Sequence, residues 1–337
     1  MKRIGIPLIV LLPVLFAAFR VQRQEDVQSF KPWPARVYDF SYETKFKERA
    51  ALGRYLFYDP ILSADSSVSC ASCHLQYTAF AHVDHALSHG IHDSIGFRNA
   101  PALINLAWHK QLMWDGAIHH LDIQALAPIH NPGEMGSSIQ EVVMKINRSD
   151  KYKSWFYDAF GDEKATGNTV LIAISRFLST LISNQSRYDS VMRHEKFFTA
   201  QEKRGYKLFK QHCNTCHTEP LFTNLKYEDN GLSMDGKLRD YGRYRITQNP
   251  DDSLKFKVPT LRNITHSYPY MHDGRFLTLS EVFAHYDHGM VQRNGVAPGI
   301  KKGIKLSSAQ RVDLTAFLLT LTDKHFLFNP NLGFPPQ

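Results

Sequence analysis

Cys70-Ala-Ser-Cys73-His74 and Cys213-Asn-Thr-Cys216-His217 contain all four cysteines of this 337-residue chain. Each is a C-x-x-C-H, the attachment sequence of c-type haem. The spacing has a physical reason. Two thiols one helical turn apart reach both vinyl groups of one porphyrin, and the adjacent histidine then lies under the ring and offers its imidazole to iron. Two C-x-x-C pairs also suit a zinc knuckle, but a knuckle gives no reason for a histidine after both pairs. Two disulfides are the other reading; so tight a loop is better suited to redox exchange than to stapling. Two motifs with no cysteine left over favour two covalently bound haems.

The surroundings of the motifs repeat weakly. Gly53-Arg-Tyr-Leu-Phe57 precedes the first and Gly205-Tyr-Lys-Leu-Phe209 the second. An amphipathic helix is expected to lead into each motif. Thr199 with Glu202 forms a capping-box start for the second. Helical spacing of apolar residues runs from Thr169 to Arg187, closing a first domain, and from Ser307 to Leu321, closing a second. Strand signals are few, and 224–259 reads as loop. The expected fold class is therefore all-α, with two cytochrome c-like domains, residues 30–190 and 195–330, each enclosing one haem.

Lys2 and Arg3 precede an apolar run from Ile4 to Phe19. A basic start, an apolar stretch and small residues describe a secretory signal over residues 1–20; an uncleaved membrane anchor is the alternative. Either way export, to the periplasm, is expected, which agrees with where such haems are attached. The net charge of +8 comes from scattered lysines and arginines, so a solvated basic surface is expected rather than a nucleic-acid partner.

An enzyme needs more than two haems: one iron with an openable face, and acid–base groups beside it. The segment after the first motif supplies candidates: Gly96-Phe-Arg-Asn-Ala-Pro101, Met113-Trp114-Asp115-Gly116, Leu121-Asp-Ile-Gln124-Ala125 and Asn131-Pro-Gly-Glu134-Met135-Gly136. Further on come Lys257-Val-Pro-Thr-Leu-Arg262-Asn263, Pro269-Tyr-Met-His-Asp-Gly274 and Leu279-Ser-Glu-Val282. Over residues 40–325 this order of motifs resembles the bacterial dihaem cytochrome c peroxidase family, which includes the MauG-type enzymes.

The resemblance implies roles. His74 would be the proximal ligand of the peroxide-reacting haem, and His217 that of the electron-accepting haem. Trp114 would carry electrons between them. Gln124 and Glu134 would form the distal pair, with Glu134 as acid–base group; a positioned carboxylate that moves a proton is worth ~10²–10⁴-fold. Arg262 matches a position near a haem propionate. A calcium ion between the haems would take Asn99 by its side chain, and Ser267 and Pro269 by their carbonyls.

Two positions separate subgroups of the family. Fourteen residues beyond His272 stands Tyr286, where ordinary members have a methionine ligand and MauG-type enzymes a tyrosine; Met290, His285 and His288 are neighbouring alternatives. A resting distal histidine of the first haem would be His89, with His92 competing. His109, His119 and His120 read as surface or satisfied polar residues, and Tyr268 and Tyr270 as packing. The implied activity is reduction of hydrogen peroxide with electrons from a small cytochrome or cupredoxin. The alternatives are a MauG-type oxidase that turns high-valent haems on a partner protein, and a plain electron-transfer cytochrome. Relatives are often dimers, so a homodimer is open.

Overall fold

A computed structural model describes residues 33–335. The segment 1–20, expected to be a signal or anchor, lies outside the described residues. Residues 34–335 belong to one compact unit, which is mostly helical and built as two cytochrome c-type halves. Its one sheet among the described residues is an antiparallel pair, β1 (Tyr227–Glu228) with β2 (Phe256–Lys257), in which Tyr227 faces Lys257. Otherwise 224–259 is mostly loop, as expected, interrupted by single helical turns at Tyr244–Thr247 and Pro250–Asp252.

Four long helices frame the halves: α1 (Phe46–Tyr58), α2 (Gly167–Ser179), α3 (Ala200–His212) and α4 (Ser308–Leu319). The capping boxes at Thr199 and Ser307 form as expected: Thr199 N–H donates to Glu202 Oε2 at 2.7 Å, and Ser307 N–H to Gln310 Oε1 at 2.9 Å. Helix α2 is capped by Thr166 and stops at Ser179, eight residues short of the expected Arg187. The apolar pattern continues through Leu181 and Ile182, but Asn105 N–H takes the Leu181 carbonyl at 2.8 Å and Asn105 Oδ1 takes Ser183 N–H at 2.9 Å. Those bonds draw the chain out of the helix, and Ser186 caps a new one, Arg187–Met192.

The weak repeat has a packing reason. α1 crosses α2 at Gly53, where a Cβ would stand 1.9 Å from the Ala173 carbonyl oxygen. α3 crosses α4 at Gly205, where a Cβ would stand 2.0 Å from the Asp313 carbonyl oxygen. Each glycine lets two helix backbones approach, and four residues on a phenylalanine, Phe57 or Phe209, fills the core behind the crossing.

Each half has its own apolar core. The first gathers Leu52, Leu56, Phe80, Phe156 and Phe177; the second gathers Phe209, Phe222, Leu314 and Phe317. The C-terminal stretch does not stay with the second half. Phe326, Leu327 and Leu332 join the first core, and Gln76 Nε2 holds the Phe326 and Asn329 carbonyls at 3.2 and 2.7 Å. Arg54 and Tyr58 on α1 bind the carbonyls of Gly333 and Leu332. The tail thus straps the second half onto the first.

Candidate haem sites and the wall between them

The first motif forms a single helical turn, Cys70–Cys73, capped by Ser69, whose N–H donates to Ser72 Oγ at 3.1 Å. His74 N–H closes on the Cys70 carbonyl at 3.0 Å. The ring of His74 directs Nδ1 to the Phe80 carbonyl at 2.7 Å. That bond leaves Nε2 as the free nitrogen and sets the orientation a metal ligand needs. The second motif follows α3 directly, and His217 Nδ1 meets the Pro259 and Phe222 carbonyls at 3.1 and 3.3 Å. Burial holds both imidazoles down, each to about 4, so they are neutral and their free nitrogens are donors to a metal.

Each motif opens on a cavity. Cys73 and His74 line one of about 350 Å³; Cys213, Cys216 and His217 line another of about 200 Å³. The second cavity takes both thiols of its motif, whereas at the first Cys70 lines a smaller adjoining cavity together with Cys73 and His74; thiols beside a histidine with one nitrogen tied back are the donor set a c-type haem requires. The four cysteines are half-buried.

Gln124 and Glu134 both line the first cavity with His74. Glu134 Oε1 accepts from Asn131 Nδ2 at 2.7 Å. Burial pushes its carboxyl above the usual range, against the lowering effect of Asn131. Gln124 Nε2 points at the Met113 sulfur, 3.9 Å away.

Trp114 lines both cavities. Its indole N–H donates to the Asn99 carbonyl at 2.8 Å, and its own carbonyl accepts from Lys257 N–H at 2.7 Å. Asn99, Ser267 and Pro269 all face the first cavity. Asn99 Nδ2 donates to the Ala86 carbonyl at 3.0 Å, which leaves Oδ1 without a hydrogen-bond partner among the described residues.

Of the two histidines considered for the distal face of the first haem, His89 lines the cavity. Its Nδ1 is paired with Asp93 Oδ1 at 2.5 Å. His92 is at the surface with its side chain 78% exposed. Of the four residues considered at the second haem, Tyr286 faces the cavity and the others do not. It sits on a π-helical turn, His285–Gly289, a distortion frequent at functional sites. Burial pushes its phenol up to about 12. His285 Nε2 is taken by the Asn230 carbonyl at 3.0 Å, His288 is exposed, and Met290 packs against Gly231.

Two expectations need correction. Arg262 does not face either cavity. Its guanidinium is fully buried and holds both Asp189 oxygens, at 2.9 and 2.8 Å, and the Pro220 carbonyl at 2.9 Å. His109 is not a surface residue: it lines the first cavity, and burial pushes its imidazole down to about 3. Lys257, which the sequence had shown only as part of a motif, lines both cavities. Its apolar neighbours Phe256, Val258 and Pro259 were the available sign that it is buried.

Residues 47–197 match the family model of the di-haem cytochrome c peroxidases, and 202–322 that of cytochrome c. The chain is 35% identical to the methylamine utilization protein MauG of Methylorubrum extorquens, over 81% of its own length and 78% of that protein. The chain belongs to the di-haem cytochrome c peroxidase/MauG family. This family member is also 34% identical to the cytochrome c551 peroxidase of Nitrosomonas europaea, over 82% of its own length and 80% of the relative. A solved structure of a MauG-like protein associated with microbial copper homeostasis superposes with a TM-score of 0.79 at 32% identity, covering 91% of this chain and 98% of the other. Family and motifs together assign two c-type haems to this oxidoreductase.

No helix among the described residues is long and apolar enough to cross a membrane.

Proposed function

We propose that this dihaem protein reduces hydrogen peroxide to water in the first cavity, drawing electrons from a small redox protein through the second haem. The observation that carries the reading is Glu134, a carboxyl raised by burial and facing the same cavity as His74. The haem supplies the iron that binds peroxide and the electrons that reduce it. The chain supplies the proton handling. Splitting the O–O bond requires that one oxygen lose a proton and the other gain one. Asn131 fixes Glu134 Oε1, so Oε2 is the atom that takes and returns the proton. A raised pKa brings a carboxyl nearer the operating pH, where general acid–base transfer works best. Gln124 orients the bound oxidant by hydrogen bonding. Trp114, in the wall common to both cavities, carries electrons between the halves. Asn99, Ser267 and Pro269, which all face the first cavity, would hold a calcium ion beside that wall.

Tyr286 favours a second reading, a MauG-type oxidase in which the electrons come from side chains of a partner protein. An anionic oxygen ligand stabilises ferric and higher states more than a thioether does, so a tyrosine-ligated second haem would share oxidising equivalents rather than await reduction. The expected route to either function is export, with the haems attached outside the cytoplasm.

Stopped-flow mixing with hydrogen peroxide tests both. The peroxidase reading expects peroxide consumption sustained by a reduced cytochrome c or cupredoxin. The second expects the fully ferric protein to react at once, without prior reduction. A matured protein with two haems that is inert to peroxide in the ferric and the half-reduced state would overturn both.

A further inference from the structure

Lys257 is 8% exposed and stands in the wall that the two cavities share. Its ammonium donates to the Gln111 carbonyl. Among the described residues, the other two ammonium protons have no hydrogen-bond partner. The carboxylate that acts on it, Asp115, is already engaged: Oδ2 with Arg98 at 2.6 Å and Oδ1 with Ala117 N–H at 3.1 Å. Arg243, held by the Asp115 carbonyl at 3.0 Å, adds a second positive charge nearby. His109 faces the first cavity beside Lys257, and its ring has no hydrogen-bond partner among the described residues. A buried cation that shares its one acting carboxylate with Arg98 is poorly compensated, and Lys257 opens towards two cavities shaped for a group that carries two carboxylates.

We propose that Lys257 and His109 form a carboxylate seat that takes a propionate of the first haem. The seat rests on the two-haem reading of the cavities. The first haem is specified because His109 lines only the first cavity, whereas Lys257 lines both. Occupation adds a counter-charge that Lys257 need not share with Arg98, and the depression of the lysine by burial, to about 7, is what an incoming anion would reverse. Lys257 is then a positioning residue: it fixes the first haem against the wall that holds Trp114, to which its own backbone N–H is bonded.

The test is spectroelectrochemical titration of matured Lys257→Met, after a pyridine haemochrome assay has counted its haems. Removing a positive charge beside a haem favours the ferric form. The first-haem potential should fall so that, at a fixed applied potential, the ferric/ferrous ratio rises about tenfold, which is 59 mV for one electron. An unchanged first-haem potential in a protein with both haems overturns the seat. A count of zero haems in the wild type would instead remove the two-haem reading. Lys257→Arg, which keeps the charge, gives a second readout. Resonance Raman should show a shifted propionate bending mode against wild type, with the potential retained. A mode that does not move also overturns the proposal.

Discussion

Arg262 and Asp189 form a two-pronged ion pair in the interior, the guanidinium 0% and the carboxylate 5% exposed. Asp189 also accepts from Ser186 N–H and Oγ, at 2.8 and 2.7 Å, so one carboxylate caps the helix Arg187–Met192 and holds Arg262, whose Nε in turn donates to the Pro220 carbonyl. Arg262→Leu would strand this buried charge, which costs about 3–5 kcal/mol. The thermal midpoint of the holoprotein should fall by several degrees. Burial raises the Asp189 carboxyl, but Arg262 and Ser186 outweigh it and hold the group below its ordinary value. A depressed carboxyl contributes stability that is fully present above the unfolded pKa, about 3.9, and is lost as the pH falls through the folded one. The gap between wild type and Arg262→Leu should therefore narrow in acid melts below about pH 4. A gap that stays constant would show that this pair is not its source.

The two glycine crossings predict matched effects. Gly53→Ala and Gly205→Ala each drive a methyl into a backbone carbonyl, and overpacking of this kind costs about 1–3 kcal/mol or more. Both variants should melt earlier than wild type and should yield less protein with two haems. Gly299→Ala, with nothing within 4 Å of its added Cβ, is the control and should melt with the wild type. Equal midpoints for all three would mean the helices do not cross closely in solution.

How far the sequence could be read depended on the range of the interactions. The motifs, the capping boxes at Thr199 and Ser307, and the repeat at Gly53 and Gly205 are local patterns, and the structure builds on each. The end of α2 was not legible because Asn105, some 76 residues away from Leu181, takes that carbonyl. The tail that crosses to the first core was invisible for the same reason: Phe326 and Leu327 read like any apolar pair after a helix. The Arg262–Asp189 pair was not legible because the two residues lie 73 positions apart. Lys257 and His109 carry no periodic signal, and only the shape of the cavities brings them to the wall.

At the first site, Glu134→Gln keeps the size and the hydrogen-bonding reach of the side chain but removes its capacity to hold a proton. Peroxide consumption by the two-haem protein should fall about 10²–10⁴-fold, with the Soret band and the thermal midpoint retained. Because the Asn131 bond reaches only Oε1, Asn131→Ala should have a smaller effect, loosening the carboxylate without removing it. Turnover unchanged in Glu134→Gln would exclude Glu134 as the proton carrier.

At the second site, Tyr286 is fixed from both sides. Ile304 N–H holds its carbonyl at 2.8 Å, and the π-helical turn projects the phenol into the cavity of His217. Met290, four residues on, is pressed against Gly231: a Cβ added there would lie 2.9 Å from the Met290 Cβ. For Met290 to reach the cavity, the turn would have to unwind. If the phenolate oxygen is the sixth ligand, Tyr286→Met should replace an oxygen by a thioether and raise the potential of the second haem. An absorption band of a thioether-ligated ferric haem should appear only in the variant. Met290→Leu should leave spectrum and potential as they are. The opposite pattern, a change in Met290→Leu and none in Tyr286→Met, would assign the ligand to the methionine and remove the main structural support for a MauG-type oxidase.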